Sequence, residues 1–503
     1  MVAIAYRNTV AAIVPEVTEG VPVAPTAATD YIAVQDDFEL SSATDTLENA
    51  ELRASIGRAK PILGAENPTA SFSHYLRGSG VEGQAVNYRN VLKGFFGTET
   101  VNATERTTTV GSTVSQLVLG AGGADFPRGA GLLIKDGING HRIRVSTGNS
   151  SNNVPLSFGL PTAPATGVSL GKAVFYSPAN TAHQSMTVWH YVGNGGAIQM
   201  AAGCKVTEFG FNASAGELVN ASYSMEGLEY FLDPIEITAS KRYLDFQDDD
   251  GVAAAAIDIR WYKDPHEVAE SLQAAMRAVS TELADVTYDD ATGKFIIKST
   301  GTLLSLLWNT GTNTANTIGT KLGFLVAADD TGTGATTGYT ADNVQSYAAP
   351  QVPTYDNADP NAAKGHEVMI GTVTDYQCFE ASSIDWTSSN GRRAIGSICA
   401  TSGRSGAVIT SREGQIQVVA LLDQYDAKHY RRYRKGEEIS FQYSFGPKTG
   451  GNWIAGKAGY CYAPICTVVE FSITDDDGLA SLNMTLQPAV GSSGQGEMFV
   501  GTL

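Results

Sequence analysis

The sequence predicts a mainly β protein in which one arrangement of strands occurs twice. Gly is abundant among the 503 residues, at 54, and only 17% of the residues are charged, which is typical of a globular, strand-rich chain. Short strand-like runs alternate with Gly-, Ser- and Asn-rich turns over much of the length. The segment CKVTEFGF from Cys204 and the segment CTVVEFSI from Cys466 share the pattern Cys-x-Val-x-Glu-Phe. Two related β domains are therefore expected.

A second pair of similar segments supports the repeat. FELSS begins at Phe38 and FEASS begins at Phe379, and each copy continues with a short predicted helix before its Cys-x-Val-x-Glu-Phe strand. The interval from Phe38 to Cys204 is longer than the interval from Phe379 to Cys466 by about the length of segment 98–183. Because that segment reads as an additional small antiparallel module, one insertion explains the difference in spacing.

Two further segments differ in character from the repeated strands. The first 30 residues contain Pro15, Pro22 and Pro25, which disfavour a regular helix and a central strand, so an extended arm is expected there. KDPHEVAESLQAAMRAVSTEL predicts the best helix of the chain, with Asp264 as N-cap and Pro265 in the first helical position. The expected organisation is an arm at 1–30, a first β domain at 31–97 and 184–235, an inserted β module at 98–183, an inserted α+β domain at 236–350, and a second β domain at 351–503.

Composition and motifs argue against several classes of function. The net charge of -18 and the lack of a basic tract argue against sequence-reading nucleic-acid binding. The five cysteines have no regular spacing, which fits a reducing compartment, and no apolar run approaches the roughly 20 residues of a membrane-spanning helix. The seven histidines form no HExxH pattern, and neither GxSxG nor a phosphate-loop lysine occurs. No enzyme, metal or cofactor is expected.

Strand alternation places one set of acidic residues away from the core. In CKVTEFGF, Phe209 faces one side and Glu208 the other, and CTVVEFSI repeats this arrangement. The same alternation applies to FELSS and FEASS. Four glutamates are therefore expected on the non-core face of equivalent strands: Glu39, Glu208, Glu380 and Glu470. That face is either an ordinary solvated surface or an acidic lining.

The chain resembles phage tail tube proteins. The resemblance rests on PEVTEGVPV, FELSS, ASFSHYLRGSGVEGQAVNYRNVLKGFFG and CKVTEFGFNASAGELVNASYSMEG, which cover roughly 14–97 and 186–232. Segment 365–503 resembles the same architecture more loosely. The resemblance implies two tandem tail-tube-type antiparallel β-sandwich domains, each with a short flanking helix. The small all-β insert and the α+β insert are similar to the decorations that such proteins carry outside the tube.

The resemblance also implies an assembly. Inner sheets of neighbouring copies would join edge to edge into rings, and the rings would stack into a hollow tube that conducts double-stranded DNA without sequence-specific binding. Because tail tubes are usually six-fold with one tube domain per chain, two domains per chain imply a homotrimer ring with pseudo-six-fold symmetry; a homohexamer is the alternative. Other phage tail proteins would be partners. The protein would be assembled in the host cytoplasm and reside in the virion tail.

Within such a tube, individual residues have expected positions. Glu39, Glu208, Glu380 and Glu470 are candidates for lumen or inter-subunit positions, where carboxylates would repel DNA phosphates. The hairpin tip at Asp475, Asp476 and Asp477, and the tip ASAG at Ala213, are candidates for contact with the next ring. The basic helix from Lys428 to Lys435 is expected outside the lumen. A receptor-binding or adhesive β-rich tail protein is the alternative function, and the duplicated unit with its arm argues against it.

Overall fold

The computed structural model divides the chain into two units, each built mainly from antiparallel strands. It describes residues 6–51, 60–181, 183–193, 195–332, 335–345, 350–356, 358–400, 402–422, 427–476, 478–491 and 496–503, apart from the side chains of Ala427 and Asp476. The smaller unit comprises Met1–Val10, Trp189–Ala201 and Glu229–Gln351. The larger unit comprises Ala11–Val188, Ala202–Leu228 and Val352–Leu503. The expected mainly β fold class is confirmed.

The helices and strands are as follows in chain order. The amino-terminal elements are β1 (Val10–Pro15), β2 (Tyr31–Ile32), β3 (Glu39–Leu47), β4 (Ile62–Tyr75) and α1 (Arg89–Phe96). Short strands follow: β5 (Gly97–Asn102), β6 (Arg106–Thr107), β7 (Gln116–Val118), β8 (Gly131–Asp136), β9 (Gly140–Val145), β10 (Asn153–Pro155), β11 (Ser169–Leu170) and β12 (Ala173–Pro178). The next strands are β13 (Met186–Val192), β14 (Ala197–Ser214), β15 (Asn220–Glu226) and β16 (Glu229–Leu232).

The middle and carboxyl-terminal elements complete the chain. The middle set is β17 (Ile235–Glu236), β18 (Tyr243–Asp248), β19 (Gly251–Ala256), β20 (Trp261–Tyr262), α2 (Pro265–Val279), β21 (Ala284–Asp289), β22 (Lys294–Ser299), β23 (Leu304–Leu306), α3 (Gly319–Leu322) and β24 (Tyr339–Thr340). The last set is β25 (Glu367–Gly371), β26 (Tyr376–Phe379), β27 (Ala381–Gly396), β28 (Arg404–Leu421), α4 (Ala427–Lys435), β29 (Ile439–Phe445), β30 (Lys448–Thr449), β31 (Asn452–Trp453), β32 (Gly459–Asp476), β33 (Leu479–Pro488) and β34 (Phe499–Thr502).

One continuous antiparallel sheet of the larger unit contains both copies of the Cys-x-Val-x-Glu-Phe strand. Its order is β3, β4, β15, β14, β27, β28, β33 and β32. The first four strands and the last four strands pair in the same internal order. In addition, β14 bulges between Val206 and Glu208 where it meets β15, and β32 bulges between Val468 and Glu470 where it meets β33. The shared bulge fixes how the two halves correspond, residue by residue.

A second sheet covers the apolar face of this eight-stranded sheet. Strands β26, β25, β29, β32, β34, β12 and β5 pair in that order, and β32 is long enough to take part in both sheets. Phe211 of β14 stacks on Tyr443 of β29 with ring centroids 5.5 Å apart. Trp386 of β27 meets Phe441 of β29 edge to face at 5.7 Å. The two sheets therefore form a β-sandwich with an aromatic core.

The amino-terminal segment is partly a core strand. Residues Ala11–Val14 of β1 are at most 4% exposed, and β1 pairs with β2 and β13. Proline appears only as the last residue of β1, where a strand tolerates it. Glu16 follows and is buried; its Oε1 accepts hydrogen bonds from Gly203 N and Thr187 Oγ1, and burial raises the pKa of this carboxyl. The expected extended arm is thus tied into the larger unit from residue 11 onward.

The segment expected as an inserted β module shares its core with strands from the far end of the chain. Its sheet has the order β6, β11, β8 and β9, and β7 pairs with β10. The buried apolar cluster of this segment also contains Trp453, Tyr460 and Phe499. The Tyr460 hydroxyl donates to Gly129 O at 2.6 Å. Residues 98–183 therefore do not enclose a core by themselves.

The smaller unit is an α+β structure. Helix α2 begins as its sequence predicts, because the Asp264 carboxylate accepts a hydrogen bond from Glu267 N at 2.9 Å and Pro265 is the first helical residue. Leu272 and Met276 are buried against three-stranded sheets of order β19, β18, β23 and β21, β22, β24. Val279 is the last helical residue and is 47% exposed.

Candidate functional surface: a polar sheet face and two strand edges

The eight-stranded sheet has one apolar face and one polar face. Strand alternation is regular: in β28, Ile416 and Val418 are buried while Gln415 and Gln417 are exposed. The central segments of the eight strands contain no lysine or arginine, so every charged side chain among them is a carboxylate; these segments are 39–43, 67–73, 208–214, 220–226, 383–389, 413–419, 470–475 and 481–487. Over these segments, the polar face is therefore acidic and otherwise lined mainly by Ser, Thr, Asn and Gln, while Arg392 joins Glu208 and Glu226 in lining a second depression.

Two of the expected glutamates occupy matching places on the polar face. Glu208 follows the bulge of β14, and its Oε2 accepts a hydrogen bond from Ser224 Oγ at 3.2 Å. Glu470 follows the bulge of β32, and its Oε2 accepts one from Thr485 Oγ1 at 3.3 Å. Each glutamate is thus held by a hydroxyl of the next strand and is exposed to solvent.

The other two expected glutamates do not form a matching pair. Glu39 begins β3 and is exposed opposite Ser71, whereas Glu380 lies between β26 and β27 and is exposed there. The register makes Asp385 the counterpart of Glu39, because Asp385 lies opposite Gln417 as Glu39 lies opposite Ser71. Partial desolvation by the surrounding strands raises the pKa of Asp385.

A depression of about 490 Å³ lies on the polar face over the junction of β14 and β27. Glu208 and Glu413 line it, together with small hydroxyl residues such as Ser222 and Thr387. Gly210 and Gly414 also line it, and their lack of side chains deepens it. The depression therefore presents carboxylates and hydroxyls, and among its lining residues no cation that would hold an anion.

The junction of β14 and β27 joins the two halves of the sheet within one chain. Seven residues of each strand pair, from Glu208 opposite Ser389 to Ser214 opposite Ser383. On the apolar side, Phe211 and Trp386 lie directly opposite each other with ring centroids 5.6 Å apart. Such cross-strand aromatic pairs are a main source of sheet stability.

Charged side chains reinforce this junction on both sides. Arg392 of β27 is almost fully buried, and its Nη1 donates to Glu226 Oε2 of β15 at 2.9 Å. Glu19 contacts a strand of each half. Its carboxylate binds Lys205 Nζ of β14 at 3.2 Å and accepts a hydrogen bond from Ala407 N of β28 at 2.6 Å. The first and second halves of the sheet are therefore held together by partly buried ionic contacts as well as by the ladder.

Short helices flank the two matching strands in the same way. In α1, Phe95 and Phe96 pack on Phe209 of β14 with ring centroids 5.6 and 5.8 Å away. In α4, Tyr430 and Tyr433 lie over Phe471 of β32 at 5.7 and 6.5 Å. The aromatic contact between helix and strand thus occurs in both halves.

The two outer strands of the sheet, unlike the inner ones, each have one edge without a neighbouring strand among the described residues. Among the described residues, β3 pairs only with β4, and β32 beyond Glu470 pairs only with β33. Ile473 of β32 is 47% exposed, whereas its counterpart Phe211 of β14 is 2% exposed because β27 lies beside it. An apolar side chain that is buried at the internal junction is thus open to solvent at the outer edge.

Three of the hairpin tips of this sheet lie mostly within the described residues. At the β32–β33 tip, Asp475 is exposed and accepts a hydrogen bond from Gly478 N, while Asp477 and the side chain of Asp476 lie outside the described residues. At the ASAG tip, Ala215 N donates to Ser382 O, so this tip is bound within its own chain. The β27–β28 tip carries Ile398, whose side chain is fully exposed.

Sequence reasoning missed the residues that hold the junction. Asn390, Arg392 and Glu19 contact partners that lie far away in the chain, and no local pattern marks them. Asp385 had a possible signal, since it alternates with the apolar residues Ile384 and Trp386 in the same way as Glu39 alternates with Phe38 and Leu40. The similarity of FEASS to FELSS obscured that correspondence.

Other features of the described residues are few. The five cysteines are free thiols; Cys204, Cys461 and Cys466 are buried, and Cys378 and Cys399 are exposed. Within the described ranges, no three or more His, Cys, Asp or Glu side chains are grouped so as to hold a metal ion. No described helix is long and apolar enough to cross a membrane.

The larger unit is thus a β-sandwich with a continuous polar sheet face and, among the described residues, an incompletely paired strand at either end of the eight-stranded sheet. Residues 7–256 match the family model described as phage tail tube protein. Over these residues, which form about half of the chain, the protein belongs to the phage tail tube protein family and is a structural component of the phage tail. A search of the curated proteins finds no match. Strands β25 to β34 lie beyond the matched range.

Proposed function

We propose that copies of this chain close into rings through the outer edges of the eight-stranded sheet, and that stacked rings form a tail tube conducting DNA. The observation that carries the proposal is the internal junction of β14 and β27. It already joins two four-stranded halves that pair in the same order, bulge at the same place and carry a helix on the same strand. Tandem duplication of one tube domain accounts for all three similarities.

The outer edges, β3 and β32, carry the counterparts of the residues that form the internal junction of β14 and β27. The shared register makes Glu470 the counterpart of Glu208 and Leu40 the counterpart of Trp386. If β32 of one copy pairs with β3 of the next copy as β14 pairs with β27, Ile473 lies opposite Leu40 in the place of the Phe211–Trp386 contact. The exposed apolar side chain of Ile473 then becomes buried, and neither strand edge remains open to unwanted pairing.

Three copies per ring are favoured by the strand count of the sheet. Eight strands from each of three copies give about 24 strands, and strands about 4.8 Å apart then enclose a lumen wide enough for a DNA duplex. A homohexamer of the same sheet would have twice that circumference. A hexamer built from the first half alone would need the edge of β14 to be open, yet β27 occupies that edge within the chain.

The polar face is the surface that would line the lumen. Its carboxylates, among them Glu39, Glu208, Asp385, Glu413 and Glu470, repel the phosphates of DNA, which carries about one charge per 1.7 Å of duplex. Hydroxyl and amide side chains between them offer no cation to which a phosphate could bind. DNA would therefore pass with little friction and without sequence-specific contacts, in a tube assembled in the host cytoplasm.

Stacking of rings is assigned to the hairpin tips. Two exposed apolar residues lie on corresponding hairpins of the two halves. Ile398 at the β27–β28 tip is fully exposed, and Leu63 near the β3–β4 tip is 72% exposed. Asp475 at the β32–β33 tip is the exposed polar candidate. Buried against an adjacent ring, the apolar tips would supply a hydrophobic contact at regular positions around the ring.

A disulfide across the outer edges tests ring closure. The internal pair Gly210 and Thr387 corresponds to Ser472 of β32 and Ser41 of β3 in the next copy. The variant Ser41→Cys, Ser472→Cys, made in a Cys378→Ser, Cys399→Ser background, should cross-link on oxidation because directly opposed strand residues bring their Cβ atoms within disulfide reach. A series of cross-linked species that ends at a circular trimer supports three copies per ring. A series that continues to six copies supports the hexamer.

The matched control moves one cysteine a single strand inward. Thr69 of β4 is exposed directly opposite Ser41 but lies one strand away from the outer edge. The variant Thr69→Cys, Ser472→Cys should therefore remain uncross-linked under the same conditions. Electron microscopy of the unmodified protein gives the independent view, with end-on rings expected. Absence of rings and of any cross-link in concentrated protein would overturn the proposed function.

A further inference from the structure

We propose that the exposed basic and aromatic face of α4 docks on the acidic β3–β4 hairpin of a second copy of this chain. The proposal rests on the ring described above and identifies a further contact that would fix its closure. The α4 face consists of Tyr430, Arg431, Tyr433, Arg434 and Lys435, all of which are exposed in the single chain.

The internal junction supplies the geometry for this contact. There, the helix α1 is contacted by the two strands beyond the junction: Asn390 Nδ2 of β27 donates to Phe95 O at 3.1 Å. The guanidinium of Arg412, on β28, lies 6.0 Å from the centroid of the Phe95 ring. A helix of one half therefore touches the first two strands of the next half, and the sheet alone does not make the whole junction.

The register identifies the corresponding residues at the outer edges. Asn390 pairs with Arg412 four positions beyond the Trp386–Ile416 pair, and Thr44 pairs with Glu66 four positions beyond the equivalent Leu40–Ala70 pair. Thr44 and Glu66 of a neighbouring copy would thus occupy the places of Asn390 and Arg412. The cation that faces α1 at the internal junction is replaced by a carboxylate facing α4.

The charges on the two surfaces are complementary. The β3–β4 hairpin from residue 36 to residue 66 contains seven acidic residues against three basic ones, Arg53, Arg58 and Lys60, so it is acidic overall. Within its own chain, Asp45 lies 3.7 Å from Arg404. Helix α4 contains five Lys and Arg residues in nine and no Asp or Glu. Two of its cations, Lys428 and Arg432, pair with Asp375 of their own chain, which leaves Arg431, Arg434 and Lys435 on the exposed face.

The aromatic side chains of α4 are only partly buried in the single chain. Tyr430 and Tyr433 are 42% and 39% exposed, whereas Phe95 and Phe96 of α1, which pack on the matching strand, are fully buried. The Ile473 side chain on the adjacent outer edge is also exposed. A neighbouring copy docked along this edge would cover all three apolar side chains while its carboxylates meet the arginines. The partner of this surface is therefore a second copy of the chain and not a nucleic acid, because the acidic sheet face of the same ring would repel phosphates.

Reciprocal charge reversal tests the contact. Arg431→Glu with Arg434→Glu should raise the protein concentration needed for ring formation about tenfold, because two attractions become repulsions at a partly desolvated surface. Asp45→Lys with Glu66→Lys should have a similar effect. The four changes combined in one chain restore opposite charges across the contact and should return ring formation to near the wild-type concentration. Sedimentation velocity over a concentration series measures each value, and circular dichroism verifies folding.

The control keeps the change of net charge but moves it elsewhere. Lys241→Glu with Lys364→Glu alters charge by the same amount on other parts of the chain and should leave ring formation unchanged. If both reversed pairs assemble like wild type, or if the combined variant fails to recover while its folding is intact, this contact is wrong although the ring stands. If wild-type protein forms no ring at all, the proposed function itself fails.

Discussion

The side chain of Asn390 binds Val206 across the junction between the two halves of the sheet. Asn390 Nδ2 donates to Val206 O at 3.2 Å and to Phe95 O at 3.1 Å, and its Oδ1 accepts from Arg412 Nε at 2.9 Å. The residue is 3% exposed. One buried amide thus connects a strand of the second half to a strand and a helix of the first half.

Replacing this amide should weaken the larger unit. Asn390→Ala removes a hydrogen-bond donor from two carbonyls and an acceptor from the Arg412 guanidinium, which keeps its contact with Glu497, so the free energy of unfolding should fall by about 1–3 kcal/mol. Urea unfolding, with an unchanged dependence on urea concentration, measures the loss. Ser389→Ala, the exposed neighbour, should change the midpoint little. Equal stability of the two variants would contradict the structural role of Asn390.

Buried histidines should make the protein less stable in mild acid. Burial, between the rings of Tyr88 and Tyr223, lowers the pKa of His74 to about 4. Burial and the nearby Lys448 ammonium lower the pKa of His366 to about 4. Because the unfolded chain takes up these protons near pH 6.5 while the folded chain resists until about 4, their stabilising contribution is complete above pH 6.5 and is lost as the pH falls. By pH 5, the loss from His74 alone should reach about 2 kcal/mol.

Histidine variants isolate this effect from that of carboxylates. His74→Gln and His366→Gln should each flatten the fall in unfolding free energy between pH 6.5 and 4.5, whatever they do to stability at neutral pH. The exposed residue Gln415, whose side chain does not titrate, provides the control, since Gln415→Ala should leave the slope as it is in wild type. A wild-type slope in both buried-site variants would show that these histidines do not titrate as described.

The segment 98–183 should be inseparable from the carboxyl-terminal strands. A Cβ atom at Gly131 would lie 2.1 Å from Cε1 of the buried Tyr460 ring. Gly131→Ala should therefore destabilise the larger unit by about 1–3 kcal/mol through overpacking. Gly137→Ala, with open space around its Cβ, should be tolerated. Thermal unfolding distinguishes them, and a tolerated alanine at 131 would mean that the segment can separate from Tyr460.

Reversing charge on the polar face should slow DNA passage more than it harms assembly. Glu39→Lys, Glu208→Lys and Glu470→Lys together would place cations where phosphates pass, and DNA would be retained in a salt-dependent way. DNA release from assembled virions, followed at several salt concentrations, measures the effect. The same exchange at exposed Glu270, Asp285 and Asp359 serves as control. Release unaffected by the first set would exclude these glutamates from the lumen.

Strand alternation was sufficient to predict the strongest features of the candidate surface. The faces of Glu208 and Glu470 follow from period-two alternation, and the bulge before each lies inside the repeated pattern itself. The N-terminal start of α2 also follows from local chemistry at Asp264 and Pro265. These features depend on residues close in sequence, which is why a single sequence reveals them.

Features that depend on distant contacts could not be predicted in this way. Pro15, Pro22 and Pro25 predict an extended arm over residues 1–30, yet β1 is buried and pairs with β13. The module at 98–183 reads as self-contained, but Tyr460 and Phe499 complete its core. The sequence similarity of FELSS to FEASS pairs Glu39 with Glu380, but the strand register makes Asp385 the counterpart of Glu39, five residues further along the chain.

The junction of β14 and β27 has a kinetic consequence that follows from its lying within a single polypeptide. The two strands are covalently connected, so their pairing takes place at an effective concentration set by the connecting chain and does not depend on how much protein is present. Pairing between separate molecules depends on dilution, as every bimolecular encounter does. Half of the seams of a ring built from such chains would be complete before any two molecules meet. Closure of a ring would require three molecules instead of six, so the yield of rings would depend less steeply on protein concentration. At the low protein concentrations of early synthesis, folded monomers would be favoured over open, partly assembled rings.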